Sequence, residues 1–400
     1  MPKCGLLWSD KIDLEGNRGW FGSGEINALF EVDFESNEYR YLNNFSDYKI
    51  DSIRNYSICK KYKNKLFCFP IYGEKIWVYD LLKHSFSQIF IGKTDCVDKL
   101  LFSDVYLYDC RLYAVSRGLR SVLEIDPEKE SIKNIIKLPE AVSILSGNCI
   151  QNNNLIYCTS YSNNVLCQIN MDSKEIELFE IPSLKKGICT ISLAENDEFW
   201  FSGFDKAIYV WNKKMNQTTV INNFPDEFGI YISDENDKLV LDCNSKENKE
   251  AFFAKSINME KHLWFIPFRT NKVLYVDKNT YEIHIFEIQD EQEYVDGWHR
   301  YLSHKYLVEY VREDRFIGLY STKNRTLLEI DTEELVVKER SITLEKDSIN
   351  KLAQLYIGSG KQFREDIPSQ KYIFMELDKE VSIVQEKICN IGEKIYQQMI

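Results

Sequence analysis

Histidine is scarce in this 400-residue chain. There are five, His84, His262, His284, His299 and His304, and none stands at a metal-ligand spacing from another histidine or a cysteine. No metal or cofactor is therefore expected. The 11 cysteines form no CxxC or CxH cluster, and several sit within β-rich runs (Cys68, Cys158, Cys167), where a thiol acts as a small hydrophobe. A Gly-Xaa-Ser-Xaa-Gly nucleophile motif is absent. Gly22-Ser23-Gly24 and Gly358-Ser359-Gly360 lack the strand-to-helix setting of a phosphate loop. No apolar run is long enough to span a membrane, and no membrane partner is expected. Basic excess is missing too: 50 basic against 62 acidic residues leave a net charge of −12, which argues against a nucleic-acid partner because phosphate contacts need a basic surface. With no signal-peptide pattern and scattered thiols, the expected compartment is the reducing cytoplasm.

What is present is β structure in abundance. Hydrophobic content of 44% and aromatic content of 14% suffice for a large core. The stretch from Gly187 to Pro225 reads as one sheet of four short strands. Ile188 to Leu193, Phe199 to Phe201, Ala207 to Trp211 and Gln217 to Ile221 are rich in β-branched and aromatic residues, and polar turns separate them. So small a sheet cannot bury both faces alone, which implies neighbours of the same kind.

Seven segments repeat its third strand, an apolar run closed by Asp or Asn. They end at Asp33, Asp80, Asp126, Asn170, Asn212, Asp277 and Asp331, at spacings of 47, 46, 44, 42, 65 and 54 residues. Asp or Asn after a strand opens a turn, because its side chain bonds the backbone two residues on. Four-strand repeats of this length predict an all-β fold, a seven-bladed β-propeller of four-stranded antiparallel blades, with a C-terminal α-helical tail.

Two stretches carry a family resemblance. Lys65 to Phe69 followed by Lys75 to Asp80 resembles a kelch-type repeat, although the kelch double glycine is absent. Ala194 to Ser202 resembles the repeat of virginiamycin B lyase-type propellers, although no local motif matches that family's catalytic histidine. The resemblance covers about residues 4–343 and implies the propeller fold more than any one activity.

The propeller is expected over residues 1–343, with Gly5 to Trp8 as the first strand, Leu14 to Arg18 as a turn, and a last blade over about 303–343. The ring then closes by packing between the first and last blades or by the tail. The spacing of 65 marks an insertion at 226–250, where Ile230 to Ser233 and Lys238 to Leu241 read as an extra hairpin. In the extension over 344–400, Asp347 to Ile357 reads as a short helix. Val381, Val384, Ile388, Ile391, Ile395 and Met399 fall on one face of a second helix at about 376–399, which packs on the ring or serves a protein partner or self-association.

In a propeller the loops between second and third strands share one face with the connections between blades. Those loops carry Lys75, Arg117, Arg120, Lys206, Arg269, Lys272, Lys323 and Arg325 against Glu25, Glu74 and Asp205, an excess of five positive charges. Tyr72, Tyr161, Phe204, Phe268 and Tyr320 lie in or beside them. Cations and aromatics on one face suit an anionic glycan or peptide. The competing reading has these aromatics packing between blades and the acidic connections cancelling the field. Two functional classes emerge: a non-catalytic binding or scaffold propeller, or a lyase or hydrolase acting on a glycan or lactone-like substrate. For the second, His299 and His304 are the candidate bases, and no other catalytic residue is assigned.

Overall fold

The computed structural model describes residues 11–46, 56–71, 74–91, 102–142, 145–233, 239–289, 305–322 and 324–358, with positions 373 and 375. Seven four-stranded antiparallel sheets occupy residues 13–44, 56–90, 102–137, 145–180, 190–221, 253–286 and 306–340, here blades 1 to 7. The first strand of blade 1 is Asp13–Glu15, running through a turn at Gly16 into Arg18–Gly22. The expectation of a turn from Leu14 is corrected here. Leu14 pairs with Gly19 and Glu15 with Arg18, so the turn is Gly16 and Asn17, and the φ of +60° at Gly16 suits a residue without a Cβ. Gly5 to Trp8 lies outside the described residues.

Second strands, and most third strands, are buried on both faces, which is why they read as continuous apolar runs rather than alternating ones. Odd and even residues serve different neighbours. In blade 3, Leu112 and Ala114 pack against blade 2, whereas Tyr113 and Val115 pack against blade 4. In blade 5, Phe199 and Phe201 face blade 4, and Trp200 faces blade 6. The described residues form seven apolar clusters, one between each successive pair of blades and a seventh between blades 7 and 1. An open row of seven sheets would have six interfaces, so the ring is closed.

The tail closes it. After the outer strand of blade 7, Val336–Arg340, the chain crosses to blade 1. There Thr343–Leu344 pairs in parallel with Glu38 and Tyr39 as a fifth strand. A helix comes next over Lys346–Gly358, and Ser348 Oγ accepts the Tyr41 amide at 2.9 Å. Ile342, Leu344, Ile349 and Leu352 enter the blade 7–blade 1 cluster. Arg340 adds a clasp: its guanidinium pairs with Glu329 of blade 7 at 3.1 Å and donates to the Phe34 carbonyl of blade 1 at 3.2 Å. The predicted helix at 376–399 lies outside the described residues.

The seven Asp/Asn positions do what their chemistry predicts. Each sits at the end of a third strand and accepts backbone amides from the turn after it, as Asp277 does from Asn279 at 2.8 Å and Thr280 at 2.9 Å. Four residues on, Asn37, His84, Glu130, Lys174, Asn216, Tyr281 and Leu335 all have φ between 48° and 64°. None is glycine, so the sequence did not advertise this left-handed step.

These turns give the fold an acid dependence. Backbone amides hold the Asp80 and Asp277 carboxyls below the ordinary range, and at Asp331 the Arg315 guanidinium leads. A carboxyl depressed in the folded state contributes stability above its unfolded pKa of about 4, and that contribution is lost as pH falls through the folded value. Thermal stability should therefore fall below about pH 4. Asp277→Asn should shallow that fall, because Asn170 and Asn212 already fill the same role without titrating.

Eight described cysteines are free, and Cys59, Cys68, Cys149, Cys158, Cys167 and Cys189 are buried in strands or beside them. Burial pushes the Cys167 thiol up to about 12. These are packing residues, as expected from their place in the strands.

Candidate functional site

The loops between second and third strands are anchored by a recurring bond. The chain leaving the fourth strand donates an amide to the residue before the third: Ile91 to Glu74, Leu138 to Arg120, and Ile181 to Asn164, each at 2.9 Å. Loops and blade connections thus share one face. The insertion lies over it. Its hairpin, Ile230–Ser233 with Leu239–Asp242, matches the sequence expectation to within a residue. Bridges join Asp205 to Glu247 and Ile230 to Thr270, so the insertion walls the loops of blades 5 and 6. Asn271 clamps it, accepting from the Gly229 amide at 3.0 Å and donating to the Glu227 carbonyl at 2.7 Å.

Within this face the structure brings three of the predicted residues together. The Arg117 guanidinium of blade 3 lies 5.7 Å from the Tyr161 ring centroid of blade 4, and Tyr161 lies 6.0 Å from the Phe204 ring of blade 5. All three are half-buried. The Tyr161 loop is held by paired hydroxyls, Ser160 to Ser162 at 2.8 Å, and by Asn163 donating to the Ala141 carbonyl at 2.6 Å. The connection to blade 5 passes so close that a Cβ on Gly187 would stand 1.7 Å from the Tyr161 carbonyl oxygen. Only glycine fits there. Phe204 is fixed by its carbonyl, which accepts the Asn248 amide of the insertion at 2.7 Å. Next to it, burial foremost and nearby Glu247 raise the Asp205 carboxyl, against the opposing hydrogen bond from the Tyr209 hydroxyl.

Four of the other predicted cations have structural partners. Arg325 forms an ion pair with Glu25 of blade 1 at 2.9 Å; the side chains are 14% and 3% exposed. Tyr320 is buried in the same interface. Lys206 donates to the Phe228 and Cys243 carbonyls at 2.7 and 3.0 Å, fastening the insertion, and burial lowers its amine. Lys272 pairs with Glu287 at 3.1 Å, and Lys75 rides over Trp77 and Phe90. Arg120 is exposed, and Arg269 and Phe268 are half-buried beside the insertion. Tyr72, Lys323, His299 and His304 lie outside the described residues. Of the counted charges, Arg325 and Glu25 cancel each other, Lys272 is paired with Glu287, which the count left out, and Lys206 is tied to carbonyls of the insertion.

The sequence reading did not single out the charged residues near the ring axis. The Lys11 amine reaches Asp104 on blade 3 at 2.7 Å, and the Tyr106 hydroxyl donates to the same carboxylate at 3.3 Å. Burial acts to raise the Asp104 carboxyl, but Lys11 and Lys255 overcome it and hold it below the usual range. Asn148 of blade 4 donates to the Cys189 carbonyl at 2.6 Å and the Ala254 carbonyl at 3.0 Å, tying blades 4, 5 and 6 at the axis. At the end opposite the loop face is a cavity of about 550 Å³, formed by the ends of the first strands of blades 4 to 7. The available signal was a charge inside an otherwise strand-like first run, Asp104 between Ser103 and Val105 and Lys255 between Ala254 and Ser256.

No family model and no curated protein matches this chain. Solved structures do. The computationally designed Ika8 protein matches at a TM-score of 0.52 and 8% identity, covering 84% of this chain and 89% of its own. A streptogramin B lyase matches at a TM-score of 0.52 and 11% identity, covering 85% and 95%. A chain of the mitotic checkpoint complex matches at a TM-score of 0.50 and 10% identity, covering 84% and 88%. At such identities the likeness is one of fold, and the class defined is the seven-bladed β-propeller. The kelch likeness of Lys65 to Asp80 gains no support from these structures. Among the described residues no helix is long and apolar enough to cross a membrane, and no cluster of three His, Cys, Asp or Glu residues is placed to hold a metal.

Proposed function

We propose that this protein is a non-catalytic binding or scaffold propeller, and that the loop face receives an anionic glycan or an acidic peptide. The observation that supports the reading is the row Arg117, Tyr161, Phe204 on three successive blades, walled on one side by the insertion. The guanidinium offers a planar fork of donors to a carboxylate. The two rings offer flat apolar surface at little entropic cost. A uronic-acid sugar presents both features, as does a peptide with alternating acidic and aromatic residues. Arg120 and Arg269 extend the cationic rim. We place the recognition domain in residues 1–343 and leave 344–400 to ring closure and to any partner helix.

The test is an array of uronic-acid oligosaccharides and acidic peptides, with titration of the best hit. Arg117→Glu should weaken binding at least tenfold, and Tyr161→Ala by about 1 kcal/mol or more. An affinity unchanged in both variants removes this face from the reading.

A further inference from the structure

Lys255 lines the axial cavity on the face opposite the loops, so its chemistry is independent of the binding role proposed for the loop face. It sits on the first strand of blade 6, Phe253–Asn258, at an irregularity where Phe253 pairs with Pro267 but Lys255 pairs with Ile266, leaving Ala254 as the extra residue. Such bulges re-aim a side chain. Both neighbours are fixed: the Ala254 carbonyl accepts from Asn148, and Ser256 Oγ accepts from Ser192 Oγ at 2.9 Å. The Lys255 side chain makes no hydrogen bond or ion pair among the described residues, and it shares the cavity wall with Ser192, Ser256, Asn152 and Asn258.

We propose that the Lys255 amine condenses with a small aldehyde or ketone admitted to this cavity, forming a Schiff base. The nitrogen lone pair attacks the carbonyl carbon, and the carbonyl oxygen takes up a proton to give a carbinolamine. Loss of that hydroxyl as water then leaves the C=N bond. No oxidant or reductant is consumed. A cavity of about 550 Å³ suits a metabolite-sized molecule, and its hydroxyl and amide lining suits one with oxygen substituents.

The step needs an unprotonated amine at neutral pH. Burial chiefly, with the Lys11 cation, brings Lys255 down to about 8, against the pull of Asp104. The other charges at the cavity are Glu195 and Asp197 on the blade 5 turn, the latter paired with Lys214 at 2.9 Å. Blade 4 contributes the neutral Gln151 and Asn152, and blade 7 the apolar Val311. Relative to an ordinary lysine, the free-amine fraction at pH 7 rises on the order of a hundredfold.

The experiment treats the full chain at pH 7 with limiting glyoxylate and cyanoborohydride, which traps imines, and maps modified lysines by peptide mass spectrometry. Lys255 should be labelled at least tenfold faster than Lys83, which is 78% exposed. Its rate should level off near pH 8 while that of Lys83 keeps rising. Lys11→Met should slow Lys255 several-fold, with a lower melting temperature because it takes from the buried Asp104 its ion-pair partner. If that variant fails to fold, the pH profile of the unaltered chain decides alone. Labelling of Lys255 no faster than Lys83, or a rate still climbing at pH 10, overturns the proposal.

Discussion

A chain ending after Ser341 should fail to hold the ring. The cut removes the fifth strand of blade 1, the helix, and five buried side chains of the closing interface, Ile342, Leu344, Ile349, Leu352 and Ile373. At about 1.5–3 kcal/mol for each buried aliphatic side chain, the loss rivals the ~5–15 kcal/mol by which whole domains are stable. The expected result is insoluble protein, or a melting temperature lower by at least about 10 °C. A milder variant probes the same contact in a folded chain. Leu352→Ala, at a site with no solvent exposure, should cost about 2–5 kcal/mol in urea unfolding. A truncated chain that melts like the intact one would mean blades 7 and 1 hold each other without the tail.

The second large effect concerns the same seam. Arg325 and Glu25 are paired at 2.9 Å where water barely reaches. Arg325→Met strands a buried carboxylate and should destabilise by about 3–5 kcal/mol; Glu25→Gln strands the guanidinium, with a similar cost. Because each single change takes from a buried charge its opposite partner, the double variant should be less destabilised than the sum of the two. Denaturant unfolding of the four proteins gives the coupling. Additive losses would show that the two groups do not depend on each other, and Arg325 would return to the list of ligand-facing cations.

Arg325 also shows where sequence reading stops. The position was recognisable as a loop cation at the right place in the repeat. What it touches depends on blade 1, 300 residues away, and nothing local encodes that. The third strands were legible because two signals coincide there: an apolar run required by burial on both faces, and an Asp or Asn whose side chain must cap the next turn. The insertion hairpin was legible for a different reason, since Ile230 to Ser233 is a short β-branched and aromatic run bounded by Gly229 and by polar residues. The first strand of blade 1 was not, because Asp13-Leu14-Glu15 has one apolar residue and is held in place by Arg18 to Trp20 across a tight turn. Tail closure was open to sequence only as one of two alternatives, since a two-residue parallel strand has no pattern. Of the candidate site, Arg117, Tyr161 and Phe204 were found by knowing that equivalent loops share a face. Lys255 was not, because its meaning comes from Lys11 and Asp104, which only the closed ring brings near it.

The disc therefore has two chemically different ends. One carries two tilted rings and a guanidinium beside the insertion, and the other opens on the half-buried Lys255. Hydroxyl-radical footprinting of the whole chain, with and without the best acidic oligosaccharide or peptide from the array, asks directly which end receives a ligand. Protection of Tyr161 and Phe204, with Ile150, Leu193 and Val311 at the opposite mouth unchanged, is the predicted result. Protection confined to that mouth, or to the outer strands of the blades, would contradict it.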